Sequence, residues 1–170
     1  MLRRFSRKAR LFWPLAVTLV VADCATKNLA VEHLSPTQVP HEILGDWLRL
    51  TLTYNPGAAT GLTLGPYSRV GFALLALGAL ALLIRFYRAT PTAATHRAFA
   101  LALVVAGAAG NLLDRLRSPR GVVDFIDVGV GAHRFWTFNI ADACITIGAV
   151  LLAVALWRET QPGGGGVGGS

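Results

Sequence analysis

The stretch LFWPLAVTLVVADCATKNLAV, residues 11–31, runs for 21 residues with charges only near its end, at Asp23 and Lys27. A helix crosses the hydrocarbon core of a bilayer in about 20 residues, so this run has the length of a span. It exceeds the roughly 7–15 apolar residues of a cleaved leader and is read as a permanent helix. Three further runs follow. Residues 70–84 and 98–113 carry no charge, and 138–157 carries only Asp142. The second run reaches bilayer length if Arg69 and Arg85 extend their charged ends toward the headgroups. The sequence therefore predicts four transmembrane helices over about 11–31, 70–86, 97–113 and 138–157.

Composition agrees. Hydrophobic residues make up 54% of the 170 and charged residues 15%, against about 25% charged in soluble chains. A soluble domain of this size has too much surface relative to volume to hide that apolar content. Two cysteines exclude a disulfide scaffold. The net charge of +7 does not point to nucleic acid, because Arg3, Arg4, Arg7, Lys8 and Arg10 all precede the first span. No basic stripe interleaved with aromatics follows them. That cluster sets the orientation, both termini inside, although the basic residues divide nine inside to seven outside. Eight of the nine acids then lie on the outer side, all except Glu159.

Two segments lie outside the spans. In the first, Leu48, Leu50, Leu52 and Tyr54 alternate with polar residues, a half-buried strand closed by the turn Asn55-Pro56-Gly57. In the second, Gly121 to Ile126 and Arg134 to Thr137 read as short strands. Extracytoplasmic β segments are thus expected over about 43–65 and 121–137. The fold class is an all-α integral membrane protein with four transmembrane helices and a small extracytoplasmic β-sheet. One domain covers 1–160, and the Gly-rich tail 161–170 is expected to be disordered.

Helical spacing gathers the polar residues at one end. Asp23 and Lys27 are i, i+4 on the first helix; Asn111, Asp114 and Arg115 share a face of the third; Asn139 and Asp142 are i, i+3 on the fourth. Chain topology puts all three groups, and the loop residue Asp124, on the same membrane side. Asp142 sits about one turn into its span, where a carboxylate costs roughly 2.5–3.5 kcal/mol on insertion scales and is a functional hypothesis by default. Asp124, in the apolar run Val122 to Ile126, has comparable surroundings. Two carboxylates brought close in a low-dielectric pocket hold one proton between them. One member then takes a proton from water while the other polarises a carbonyl, which suits amide hydrolysis. The four His never pair at metal-ligand spacing, so no metal site is expected. Asp127 reads as a loop carboxylate, Arg117, Arg120 and Arg134 as solvated or headgroup contacts, and Cys24 and Cys144 as small apolar residues. Two other readings stand beside hydrolysis. A small proton-coupled transporter requires ionisable groups at mid-membrane, and a non-catalytic membrane module uses polar ends only to fix packing.

Five stretches carry a resemblance: Asp23-Cys-Ala-Thr-Lys27, Asn55-Pro-Gly-Ala-Ala59, Gly110-Asn-Leu-Leu-Asp-Arg115, Val122-Val-Asp-Phe125 and Phe138-Asn-Ile-Ala-Asp142. In order and spacing the chain resembles the lipoprotein signal peptidases, the signal peptidase II family of bacterial membrane aspartyl peptidases. The resemblance implies that Asp124 and Asp142 are the catalytic pair and that Asn111, Arg115 and Asn139 hold the substrate backbone or the pair. Asp23, Lys27, Asn55 and Asp114 would organise the pocket. It implies a diacylglyceryl-modified prolipoprotein as substrate, cut just before the lipidated Cys, with no cofactor or metal. It further implies a multi-pass monomer among the lipids of the bacterial inner membrane, with its site near the outer face. The family's pattern has an aromatic where Thr60 stands.

Overall fold

The structure, a computed structural model, describes residues 6–57 and 65–160. Thr60 and the tail 161–170 lie outside the described residues. Helix α1, Arg7–His33, opens at Ser6, whose hydroxyl accepts from the Ala9 N–H at 3.3 Å and so satisfies a donor the helix leaves free. Strands β1, Pro40–Leu44, and β2, Leu48–Asn55, form a hairpin. A 3₁₀ turn at Gly65–Tyr67 enters α2, Ser68–Ala89, followed by α3, Thr95–Arg117. Then come β3, Val122–Val130, the short β4, His133–Arg134, and α4, Ile140–Thr160. All four helices are long and apolar enough to cross a membrane.

Burial is inverted relative to a soluble protein. Leu74, Leu75 and Leu82 of α2, Val17 and Val21 of α1 and Val150 of α4 are exposed, whereas Asp23, Lys27, Asn111 and Asn139 are buried. Lipid solvates the leucines, and only the bundle interior can solvate the polar groups. Lys8 ties one end together by donating to the carbonyls of Tyr87 (2.9 Å) and Thr90, where α2 finishes, and Phe12 stacks on Tyr87 at 3.9 Å.

Helix α3 is the centre of the bundle and packs against the other three. Its Ala- and Gly-rich run lets backbones approach closely, the usual device where lipid removes any hydrophobic drive for helices to associate. A methyl group at Gly107 would collide with the Ala141 carbonyl and lie 2.7 Å from Ile145 Cγ1. Backbone cannot yield as a side chain can. Gly107→Ala is therefore expected to lower stability by about 1–3 kcal/mol, read as an earlier unfolding midpoint in a detergent titration; an unchanged midpoint contradicts the tight α3–α4 contact.

The sheet runs β1-β2-β3-β4 with every neighbour antiparallel. Leu52, Val123 and Phe125 pack on Ala30 and Leu34 at the end of α1, which seats the sheet on that end of the bundle. Pairing β2 with β3 places Thr53 opposite Asp124 and Asn55 opposite Val122. The first strand starts at Pro40, ahead of the expected segment, and β2 closes at Asn55. Of Arg134 to Thr137 only Arg134 is in a strand; the next residues follow β3 irregularly, and Phe138 makes one bridge to Ile126.

Two bland sequence readings are corrected here. Asp127 is not in a loop: it lies buried in β3 and accepts from Thr51 Oγ1 at 2.9 Å and Arg134 Nε at 2.6 Å. Arg134 is not a solvated arginine, because it also reaches the Asp46 carbonyl at 2.9 Å and joins the β1–β2 turn to β3. Arg120 stands 3.9 Å over the Tyr54 ring, a cation–π contact.

Candidate active site

The fourth helix begins at Ile140, two residues later than its apolar run, and that shift defines the site. Asn139 precedes the helix, and its backbone carbonyl accepts the first helical bond, from Ala143 N at 3.2 Å. Asn139 Oδ1 accepts from the Asp142 N–H at 2.9 Å, while Asp142 Oδ2 accepts from the Asn139 N–H at 3.3 Å. This reciprocal pair is a capping box, so the spacing Asn139-x-x-Asp142 is the grammar of a helix start. Asp142 is thus in the first turn of α4, not a full turn inside it. A third free donor at this end, Ala141 N–H, is met by Asp23 Oδ1 of α1 at 2.9 Å.

The amides of Asn139 and Asn111 then point their NH₂ groups at the two acids. Asn139 Nδ2 donates to Asp124 Oδ1 at 2.7 Å, and Asn111 Nδ2 donates to Asp142 Oδ1 at 2.8 Å. Asn139 Nδ2 also lies 3.2 Å from Asn111 Oδ1. The Asn111 orientation is dictated chemically: its Oδ1 accepts from Lys27 Nζ at 2.9 Å, and an ammonium only donates. Lys27 also forms ion pairs with Asp23 Oδ2 at 2.8 Å and Asp114 Oδ2 at 2.9 Å. Asp114 in turn holds the Val123 N–H at 3.1 Å, fixing β3 beside α3. The i, i+4 pair Asp23–Lys27 is therefore intrahelical and also the hub joining α1, α3 and β3. Gly110 leaves the room that Asp23 occupies, since a methyl there would overlap the carboxylate.

Arg115 reaches the other way. Its Nη2 donates to the Gly57 carbonyl at 2.7 Å and its Nη1 to the Asn111 carbonyl at 3.1 Å, while its buried Nε has no partner among the described residues. Asn55 Oδ1 accepts from Gly57 N at 3.0 Å, and the Asn55 side chain also bonds to Asp124. The turn after β2 is thus clasped over the acids. Gly121, with φ +95°, permits this, because a Cβ there would strike the Asn55 carbonyl and Pro56.

All nine residues singled out from sequence fall in one connected cluster: Asp124, Asp142, Asn111, Arg115, Asn139, Asn55, Asp23, Lys27 and Asp114. The Gly57 carbonyl and the Ala141 N–H were not foreseen; backbone groups leave no mark in composition or spacing. Asp124 is 3% exposed. Burial foremost, then the neighbouring charge of Asp142, raises its pKa from 3.8 to about 7, against the hydrogen bonds of Asn139 and Asn55 and the charge of Lys27. A carboxyl poised near neutrality beside a second carboxylate is equipped for proton transfer.

A helical bundle with an inward polar hub and two acids joined through asparagines beneath a small sheet defines a multi-pass membrane enzyme. Sequence and structure comparisons make the class specific. A family model described as signal peptidase (SPase) II matches residues 15–158. The chain is 37% identical over 154 residues to a lipoprotein signal peptidase of Chlorobium phaeobacteroides, covering 85% of this chain and 94% of that one. It is 42% identical over 145 residues to that of Desulforapulum autotrophicum, covering 81% and 86%. A solved structure described as a bacterial membrane enzyme superposes with a TM-score of 0.84 at 29% identity, covering 97% of this chain and all of that one. A second gives 0.75 at 32%, covering 86% and 92%. The chain belongs to the signal peptidase II family and is a bacterial membrane peptidase.

Proposed function

We propose that this chain is an aspartic endopeptidase that removes the leader from diacylglyceryl-modified prolipoproteins by cutting just before the lipidated Cys. The observation that carries the reading is the amide bridge: Asn139 binds both acids, and Asn139 and Asn111 aim donors at them. Asp124 and Asp142 form the catalytic dyad. Asp142 takes a proton from the attacking water as its oxygen bonds to the scissile carbonyl carbon. Protonated Asp124 donates to the carbonyl oxygen, giving a neutral gem-diol. Collapse returns the proton to Asp124, breaks the C–N bond and delivers the other proton to the departing amine. Asn111 and Asn139 hold the dyad, Arg115 and Asn55 hold the turn above it, and Asp23, Lys27 and Asp114 form the buried base of the site. No step uses a metal or an organic cofactor.

The chain is proposed to act as a monomer and one domain over 1–160, with both termini cytoplasmic and the dyad near the outer face. The basic residues Lys8, Arg88 and Arg97 lie at the bundle end remote from the sheet, which supports that orientation. A transporter is disfavoured because the polar hub lies at one end of the bundle rather than at mid-membrane. The deciding experiment incubates the purified protein with a diacylated prolipoprotein and with its unlipidated form. Release of the leader from the lipidated form alone is the expected result; equal cleavage of both removes the lipid from recognition, and no cleavage of either sinks the reading.

The pH profile follows from Asp124. Its protonated form is the working acid, and its proton leaves as pH rises through about 7. The kcat/KM is therefore expected to fall about tenfold per pH unit on the alkaline side. A profile flat to pH 9 assigns the proton to another group.

A further inference from the structure

The dyad opens sideways as well as toward the sheet. A cleft of about 530 Å³ runs down the outer face of α4 from Asp142. Phe135, Trp136 and Phe138 stand at its head, and Ile145 and Ile147 lie along it. Phe135 meets Trp136 at 3.9 Å and Phe138 edge-on at 6.0 Å, so the head is a small aromatic cluster. Among the described residues the one hydroxyl in the wall, Thr146, already donates to the Asp142 carbonyl at 2.9 Å. Apart from Asp142 the cleft is therefore apolar. Ile147 is 55% exposed on a helix read as spanning the membrane, so the cleft faces lipid.

Two parts of the substrate must come to the dyad from the membrane: the helical leader and the acyl chains on the Cys beside the scissile bond. A helix about 10 Å across fills roughly 400 Å³ per turn, so this cleft would seat little more than one turn of a leader. Extended hydrocarbon fits the space without that limit. Ile147 lies about 7.5 Å along α4 from Asp142, in the direction a chain takes when its attachment point is at the dyad. We infer that the α4 cleft beneath Phe135 and Trp136 receives the part of an acyl chain of the substrate's diacylglyceryl group that adjoins its attachment point. This rests on the peptidase reading above and adds which surface reads the lipid.

The test uses two synthetic lipopeptides differing only in their acyl chains, dibutanoyl and dioctanoyl, with the full-length protein in lipid. Ile147→Trp fills the lower cleft and is expected to reduce the dioctanoyl-to-dibutanoyl ratio of kcat/KM by about tenfold, the effect of losing a few buried methylenes. Leu74→Trp, a similar bulk added on the exposed face of α2, is expected to shift that ratio less than about twofold. A ratio unmoved by Ile147→Trp, or moved equally by Leu74→Trp, overturns the assignment while cleavage itself leaves the peptidase reading standing. A dioctanoyl substrate carrying a terminal diazirine gives a readout independent of turnover and of the variant's folding. Crosslinks to residues 143–150 are expected, and crosslinks confined to α1 or α2 overturn it. A protein that cleaves neither lipopeptide but crosslinks in the cleft separates failure of the chemistry from failure of the lipid site.

Discussion

Asp124→Asn and Asp142→Asn are each expected to lower kcat about a thousandfold or more, because each removes one of the two proton transfers and the amide replacement can neither take nor give that proton. The two losses should not add, since either deletion disables the whole pair. Stability separates this outcome from unfolding. Unfolded Asp124 ionises near 3.8 and folded Asp124 near 7. Between those values the folded chain binds a proton that the unfolded chain does not, so stability falls as pH rises from about 4 to about 7. Above that window the full cost of burying the charge is present, up to about 4 kcal/mol. Asp124→Asn removes a group that ionises, and at pH 8 it is expected to unfold no earlier than the parent in a detergent titration. Lost cleavage together with kept or raised stability is the signature of a catalytic carboxyl. Retained cleavage in either variant discards the dyad.

Lys27→Met carries the second large effect, with the opposite stability sign. Lys27 touches no reacting atom; it is a positioning residue that acts through Asn111. Its removal leaves the Asp23 and Asp114 carboxylates without their shared cation, and an uncompensated buried charge of this kind costs about 3–5 kcal/mol. It also frees the Asn111 amide to rotate, which turns an oxygen toward Asp142 in place of the donor now 2.8 Å away. Folding and kcat should both fall. Adding Asp23→Asn to Lys27→Met removes one stranded charge yet keeps an oxygen for the Ala141 N–H. The double variant is expected to regain at least about 1 kcal/mol of stability, a coupling typical of contacting residues, while cleavage stays low because Asn111 remains unanchored. Recovery of both together would make Lys27 purely structural, and full activity in Lys27→Met alone would remove it from the site.

Much of the site could be read along the chain because its parts sit in local patterns. Asp23 and Lys27 are one turn apart, Asn111 and Arg115 likewise, and Asn139 and Asp142 have capping-box spacing. What such spacing does not give is the partner. The Asn139–Asp142 spacing was legible as a helix face, yet its meaning as a helix start rested on where α4 begins. Asp127 and Arg134 looked like surface charges because the contacts that bury them link Asp127 of β3 to Arg134, and Arg134 to a turn at Asp46, 88 positions before it. Arg115 could be placed on its helix but not given Gly57 as its acceptor.

The four spans and the single polar end were determined by the sequence alone. Span length and the absence of charge are properties of contiguous residues, and connectivity forces alternate ends to opposite sides of a bilayer. The meeting of Asp124 with Asp142, the turning of both asparagine amides toward them and the seating of Lys27 between two acids were decided only by the tertiary structure. Each depends on distances between elements that packing fixes: the close α3–α4 approach at Gly107, the room at Gly110, and the β2–β3 register that sets Asp124 opposite Thr53.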